Sequence, residues 1–170
     1  ILLNKIIQTT SKLTWNPKIA KMSFYKSFQE YQMDQNIKIV YQKDPVWEVI
    51  GQGITDFNKE KAGDDHGKNL CFVLKNEQDE ILGGVIGMTY WNWLYINLMW
   101  IREDLRGHGF GHQLLIAAEE EALKRGSTYA YLDTFSFQAP EFYKKYGYLE
   151  FGRLEDFPPG HTRYFLMKNL

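Results

Sequence analysis

The stretch "LMWIREDLRGHGFGHQLLIAAEEEALKRG" (98–126) decides the fold. It joins the end of an apolar run to a helical pattern through a turn with three glycines in five positions, Gly107, Gly109 and Gly111. Beyond the turn, Leu114, Leu115, Ala118 and Ala122 recur at helical spacing and predict one buried face. Glu120 with Lys124 and Glu121 with Arg125 are i, i+4 pairs in the favoured order. Gly126 stands where a helix C′ residue belongs. The spacing predicts a helix from about Phe110 to Arg125, with strands before it (94–101) and after it (128–135). Such a crossover makes its two strands parallel and its connection right-handed.

Outward from there the pattern is mixed α/β. Upstream, "NIKIVYQ" (36–42) alternates and is β-branched, so it reads as a first strand. Asp44 and Pro45 suit the cap and first position of a helix over 46–63, with Val46, Val49, Ile50, Ile54 and Phe57 in register. Gly51 and Gly53 weaken that helix by about 1 kcal/mol each, and either split it or leave room beside a ligand. Runs at 69–76 and 81–91 form a hairpin over "EQDE", and "NW" (92–93) turns into 94–101. Downstream come a short helix (139–147) closed by Gly147, then strands at 148–156 and 162–168 around "FPPGH". The expected order is β-α-β-β-β-α-β-α-β-β, with an antiparallel meander followed by the crossover.

The 170 residues suit a single domain, with 1–35 as an N-terminal extension and 36–170 as the core. Met22 is an internal or a true start, and 1–21 read as an appended segment rather than a signal peptide. With 24% charged residues and a formal net charge of −1, a general nucleic-acid binder is disfavoured. No run of about 18 apolar residues predicts a membrane span. The one cysteine, Cys71, excludes an internal disulfide and any multi-cysteine metal site, and suits a cytoplasmic setting. Its apolar surroundings predict a buried structural thiol.

Glycines before a helix start let the backbone approach a ligand and adopt turns closed to other residues. The helix N-terminus adds unpaired N–H groups and partial positive charge, and Arg106 a permanent one. This composition makes an anion site suited to phosphate or pyrophosphate. The dinucleotide pattern G-x-G-x-x-G fails because His112 occupies its last position, and no Gly-Lys-Ser/Thr supports a P-loop. What stands here is R-x-x-G-x-G after a strand.

That turn with its helix, the element order and "APEFYKKYGY" (139–148) resemble the GNAT superfamily of acyl-CoA-dependent N-acetyltransferases over residues 36–170. Ala139, Tyr143, Gly147 and Tyr148 match the family's A-x-x-x-Y-x-x-x-G-[FY] element, and "LDTFSFQAPEFYKKYGY" and "DFPPGHTRYFL" resemble a bacterial subgroup. The resemblance implies a mostly antiparallel sheet of about seven strands, splayed between the fourth and fifth. It implies acetyl-CoA as co-substrate, with no metal. Arg106, Gly107, His108, Gly109, Phe110, Gly111 and His112 would bind its pyrophosphate. Met99, Trp100 and Ile101 would pair with the pantetheine arm, and Phe142 would complete that set. Ser136 stands where the family often has an asparagine that contacts the cofactor, and its hydroxyl, or Gln138, would take over part of that contact. Tyr143 would protonate the departing thiolate.

A lysine-like amine has pKa about 10.4, so exposing its lone pair near pH 7 costs roughly 5 kcal/mol. Asn97 stands mid-strand where a carboxylate would serve, and an amide cannot act as base. Asp133, His161 or a water chain remain as bases. No covalent enzyme intermediate is required. "YWNWLY" (90–95) is either a packed hairpin or an aromatic acceptor wall. The expected acceptor is a primary amine of a small molecule or a protein, and edge strands allow a homodimer. The competing reading is a non-catalytic acyl-CoA-binding regulatory or interaction domain.

Overall fold

The computed structural model describes residues 37–170. The chain divides into two units, Ile1–Val46 and Trp47–Leu170. In the first, residues 37–46 carry neither helix nor strand, and Ile37, Ile39, Val40 and Tyr41 are exposed. The strand expected at 36–42 is therefore not formed over its described part. β-Branched alternation supplies propensity, but a strand also needs a neighbour to take its N–H and C=O groups. The extension at 1–35 lies outside the described residues.

The second unit has one sheet of six strands rather than seven, ordered β1-β2-β3-β4-β6-β5. Helix α1 (Trp47–Ala62) precedes β1 (Lys68–Lys75), β2 (Ile81–Tyr90) and β3 (Trp93–Ile101). Helix α2 (Phe110–Lys124), β4 (Tyr129–Phe135), the short α3 (Pro140–Lys145), β5 (Leu149–Leu154) and β6 (Arg163–Asn169) complete it. Helix α1 runs unbroken through Gly51 and Gly53, where an added Cβ would meet nothing within 4 Å. None of its residues is buried, so its apolar stripe is exposed.

Two turns explain the meander. Asn76 accepts from the backbone of Gln78 and Glu80, at 3.0 and 2.9 Å, and closes the first hairpin. Trp91 and Asn92 both have positive φ, 39° and 66°, as a two-residue hairpin with the right twist requires. That turn lies one residue earlier than the sequence suggests.

Helix α2 turns its predicted face, Leu114, Leu115, Ala118 and Ala122, to β1, β2 and β3, in one core with Leu70, Val85, Leu94 and Ile96. Alternation in β1 points Leu70 inward at 3% exposure and turns Cys71 out. Cys71 is thus exposed, not buried as expected. Its apolar neighbours reflect an alternating strand, whose period of two sends adjacent residues to opposite faces.

The break in the sheet positions the site. β3 and β4 pair in parallel from Trp93↔Tyr129 only as far as Ile96↔Leu132. On its other side β3 pairs Ile96 with Gly87 and Leu98 with Ile86, so Asn97 is an extra residue in a β-bulge. A bulge bends its strand and leaves a residue unpaired. Gly87 makes room for it, since a Cβ there would lie 2.4 Å from the Tyr95 carbonyl oxygen. Beyond this point β3 continues with β2 to Ile101, while β4 continues with β6 to Phe135. No helix among the described residues is long and apolar enough to cross a membrane.

Candidate active site

The three glycines do different work. Gly107 and Gly109 have φ of 78° and 86°, a region costly for residues with a Cβ. A side chain at either would meet nothing within 4 Å, so the space beside them is open. Gly111 has ordinary φ, but a Cβ there would lie 3.3 Å from the Phe142 ring and 3.4 Å from Ile101 Cδ1. It lets the first turn of α2 sit close on α3 and β3.

Gly109 is the N-cap of α2, and no side chain caps that end. The first N–H groups of a helix have no intrahelical partner, so this end keeps its donors and partial positive charge for an anion. Arg106 Nε donates to the Ile101 carbonyl at 3.0 Å, which ties the turn to the end of β3. His108 bonds the Arg106 carbonyl through Nδ1 at 3.0 Å. His112 instead stacks on Tyr146, with centroids 3.8 Å apart and planes 10° apart. The turn thus gathers Arg106 to His112 at one end of β3. Met99 and Ile101 pack toward the core, while Trp100 is 55% exposed on the opposite row.

Across the fork lies α3. Tyr143 is buried beside the Phe142 ring, with centroids 5.1 Å apart. Burial first, and the Asp133 charge second, push its hydroxyl up to about 12. Such a phenol holds its proton across the whole neutral range. Gln138 anchors the entry to α3 by accepting from Phe135 N at 2.8 Å and Thr134 Oγ1 at 3.2 Å. Ser136 is drawn into the β5–β6 connection. Its hydroxyl accepts from Thr162 N at 3.2 Å and meets His161 Nδ1 at 3.3 Å.

The other face of the fork is aromatic. Trp93 stacks on Tyr129 at 4.7 Å and Tyr95 on Tyr131 at 4.8 Å, as successive rungs across the parallel pair. The Tyr90 and Tyr131 hydroxyls bond one another. Burial, with that bond next, pushes the Tyr131 hydroxyl far above the ordinary phenol range. Asp133 continues the row just past the last paired rung, where the strands part. Arg163 donates to Asp133 Oδ2 from both Nε and Nη2, each at 2.7 Å. The guanidinium lies 5.4 to 5.6 Å from the ring centres of Phe135, Phe157 and Phe165. Sequence reading missed Arg163. Its place opposite Phe135, two residues from Phe165 on one row of β6, was the available signal.

An uncapped helix start with open space over two left-handed glycines fits a phosphate-bearing ligand. The unpaired stretch of parallel strand beside it fits an extended amide chain, which needs backbone donors and acceptors. Tyr143, a phenol that keeps its proton, is buried on α3 next to Phe142, the ring that closes on Gly111. These features fit a transferase that takes its acyl group from coenzyme A. The acetyltransferase (GNAT) family model matches residues 22–148, and the chain belongs to that family. It is 33% identical over 120 residues to an acetyltransferase of Agrobacterium fabrum, covering 71% of this chain and 88% of the relative. It is 38% identical over 95 residues to the blasticidin-S acetyltransferase of Streptomyces morookaense, covering 55% and 70%. The crystal structure of an acetyltransferase from Bacillus cereus superposes with a TM-score of 0.73 at 39% identity, covering 78% of this chain and 98% of that one. The protein is an N-acetyltransferase, and acetyl-CoA is the donor its family uses.

Proposed function

We propose that this enzyme transfers the acetyl group of acetyl-CoA to a primary amine by direct attack, with no acyl-enzyme intermediate. The donor's pyrophosphate would lie on the N–H groups of Gly107 to His112. Its pantetheine arm would run along Met99 to Ile101, where β3 has left β4. Bound there, the donor supplies a thioester carbonyl at the fork, open to a neutral amine from the aromatic face. The unpaired backbone at the Asn97 bulge offers N–H groups for the charge that develops on that carbonyl oxygen.

The observation that supports the reading is Tyr143, a phenol buried on α3 beside Phe142 that keeps its proton and would face the end of the open fork. A phenol raised to about 12 is a weaker acid than a thiol near 8.5, so the hydroxyl would keep its proton in the resting enzyme and donate a hydrogen bond to the sulfur as negative charge develops there, with the proton made good from the attacking ammonium once the thiol has left. A domain that only bound acyl-CoA would need no such group. Asp133 stands on the acceptor side, with Oδ2 taken by Arg163 and Oδ1 free of that pair. It would receive the acceptor's ammonium and act as its base, directly or through a water.

The acceptor is a small-molecule or protein amine, and the relative named for blasticidin S favours the small molecule. The Trp93, Tyr95 and Tyr131 rungs suit a cationic or planar acceptor, since aromatic rings hold cations and flat groups. The test is thiol release from acetyl-CoA with a panel of amines that includes blasticidin S and a lysine peptide. Turnover of at least one small amine is expected. Binding of acetyl-CoA with no turnover of any acceptor would favour the non-catalytic alternative.

A further inference from the structure

One polar cluster lies away from the reacting groups and has no part in the chemistry above. Glu119, on α2, receives a bond on each carboxylate oxygen. Tyr148 Oη donates to Oε1 at 3.0 Å, and Lys168 Nζ donates to Oε2 at 2.6 Å. The Glu119 side chain is 12% exposed, that of Lys168 is 25% exposed, and Tyr148 is fully buried. Burial first, and the Glu119 charge next, push the Tyr148 hydroxyl far above its ordinary value, so it stays a donor.

The placement of Lys168 is unusual. It shares the core-facing row of β6 with Leu166, where an apolar residue would be the default. Its stem passes Gly147, where a Cβ would come 3.8 Å from Lys168 Cε, and its ammonium lies 5.6 Å from the Tyr148 ring centre. Buried ion pairs seldom outdo apolar packing for stability, so stability alone does not account for a charged pair here. Fixed geometry does. The three residues come from α2, from the segment leaving α3, and from β6.

What they fix is Tyr143. Tyr148 N donates to the Tyr143 carbonyl at 3.1 Å, and the two rings meet edge to face at 5.9 Å. Helix α3 has six residues, too few to hold itself, and its entry is anchored through Gln138. The cluster is the anchor at its exit. We infer that Glu119, Tyr148 and Lys168 are positioning residues that clasp the end of α3 and hold the Tyr143 hydroxyl at the fork. Because Glu119 belongs to α2, the clasp also ties the proton donor to the helix whose first turn would grip the acetyl donor.

This rests on the reading of Tyr143 as proton donor, and a double-mutant comparison separates the two. Lys168→Met and Glu119→Gln are each made in the native chain and in Tyr143→Phe. kcat is measured at saturating acetyl-CoA and amine, with melting curves to establish folding. In the native background each should lower kcat about 10-fold, as loss of alignment does, with KM for acetyl-CoA within about threefold. In the Tyr143→Phe background neither should lower kcat further, and Lys168→Arg should recover most of the native rate. Equal losses in both backgrounds would overturn the clasp while leaving the donor role of Tyr143 intact, as would no loss in the native one. Unchanged kcat in Tyr143→Phe alone would overturn the donor role and the clasp with it. Glu119→Gln keeps the side-chain shape and carries the test if Lys168→Met does not fold.

Discussion

The two sides of the fork are built by different means. On the side proposed for the donor the parts are backbone: two glycines at positive φ, an uncapped helix start and a strand that has lost its parallel neighbour. On the side proposed for the acceptor they are side chains paired across strands: Trp93 on Tyr129, Tyr95 on Tyr131, Arg163 on Asp133. A backbone site can grip a ligand common to a whole family while the sequence around it drifts. A surface of side chains sets the acceptor and changes with each substitution. Variants on the donor side should therefore alter binding and chemistry with every amine, whereas those on the acceptor side should alter one substrate against another.

The largest effect expected tests how fully the helix-covered side is buried. Tyr143 is raised from an ordinary 10 to about 12. Below pH 10 both folded and unfolded chains hold its proton, and its contribution is fully present. Between 10 and 12 only the unfolded chain releases it, so stability falls by about 3 kcal/mol. Tyr148, shifted in the same direction, adds to that loss. The phenolate absorbance that Tyr143→Phe removes should then rise together with loss of the folded circular dichroism; its appearance well before unfolding would mean this ring is not enclosed.

Next, Tyr143→Phe should lower kcat about 100-fold and leave KM for acetyl-CoA within about threefold. Equal losses in both would place it in binding rather than proton transfer. Arg163→Met removes the guanidinium from Asp133, whose side chain is only 17% exposed in the native pair, and should raise KM for the amine about 10-fold. Acetyl-CoA affinity measured by calorimetry should stay put, and a matching loss there would erase the distinction between the two sides. The smallest effect is that of Gly109→Ala. Its φ of 86° costs about 1 kcal/mol with a Cβ, so acetyl-CoA binding should weaken about fivefold. The preference among amines should not move.

These contrasts follow what the sequence makes legible. The α2 face, its closing glycine and the turn before it are local patterns, so "RGHGFG" marked the start of the element. Yet the sequence could not say that Gly111 differs from its neighbours. Its role is contact with Phe142, 31 positions away in the chain, and distant contacts leave no periodicity. The same holds for Arg163 with Asp133 and Glu119 with Lys168. Asn97 looked like a missing carboxylate, whereas the register makes it a bulge. The run at 36–42 misled in the opposite direction: its described part, 37–42, is not strand, because propensity alone does not supply a ladder partner. Cys71 was misplaced because its run was read for apolarity rather than for parity with Leu70.

The central claim is that the turn from Arg106 to His112 holds the pyrophosphate of the acetyl donor. Amide resonances of Gly107, Gly109, Gly111 and His112, followed by nuclear magnetic resonance during titration with CoA and separately with pantetheine, test it directly. CoA should shift these amides, and pantetheine, which lacks the pyrophosphate, should leave them in place. If CoA binds and these four amides do not respond, the phosphate lies elsewhere and the account of the turn is wrong.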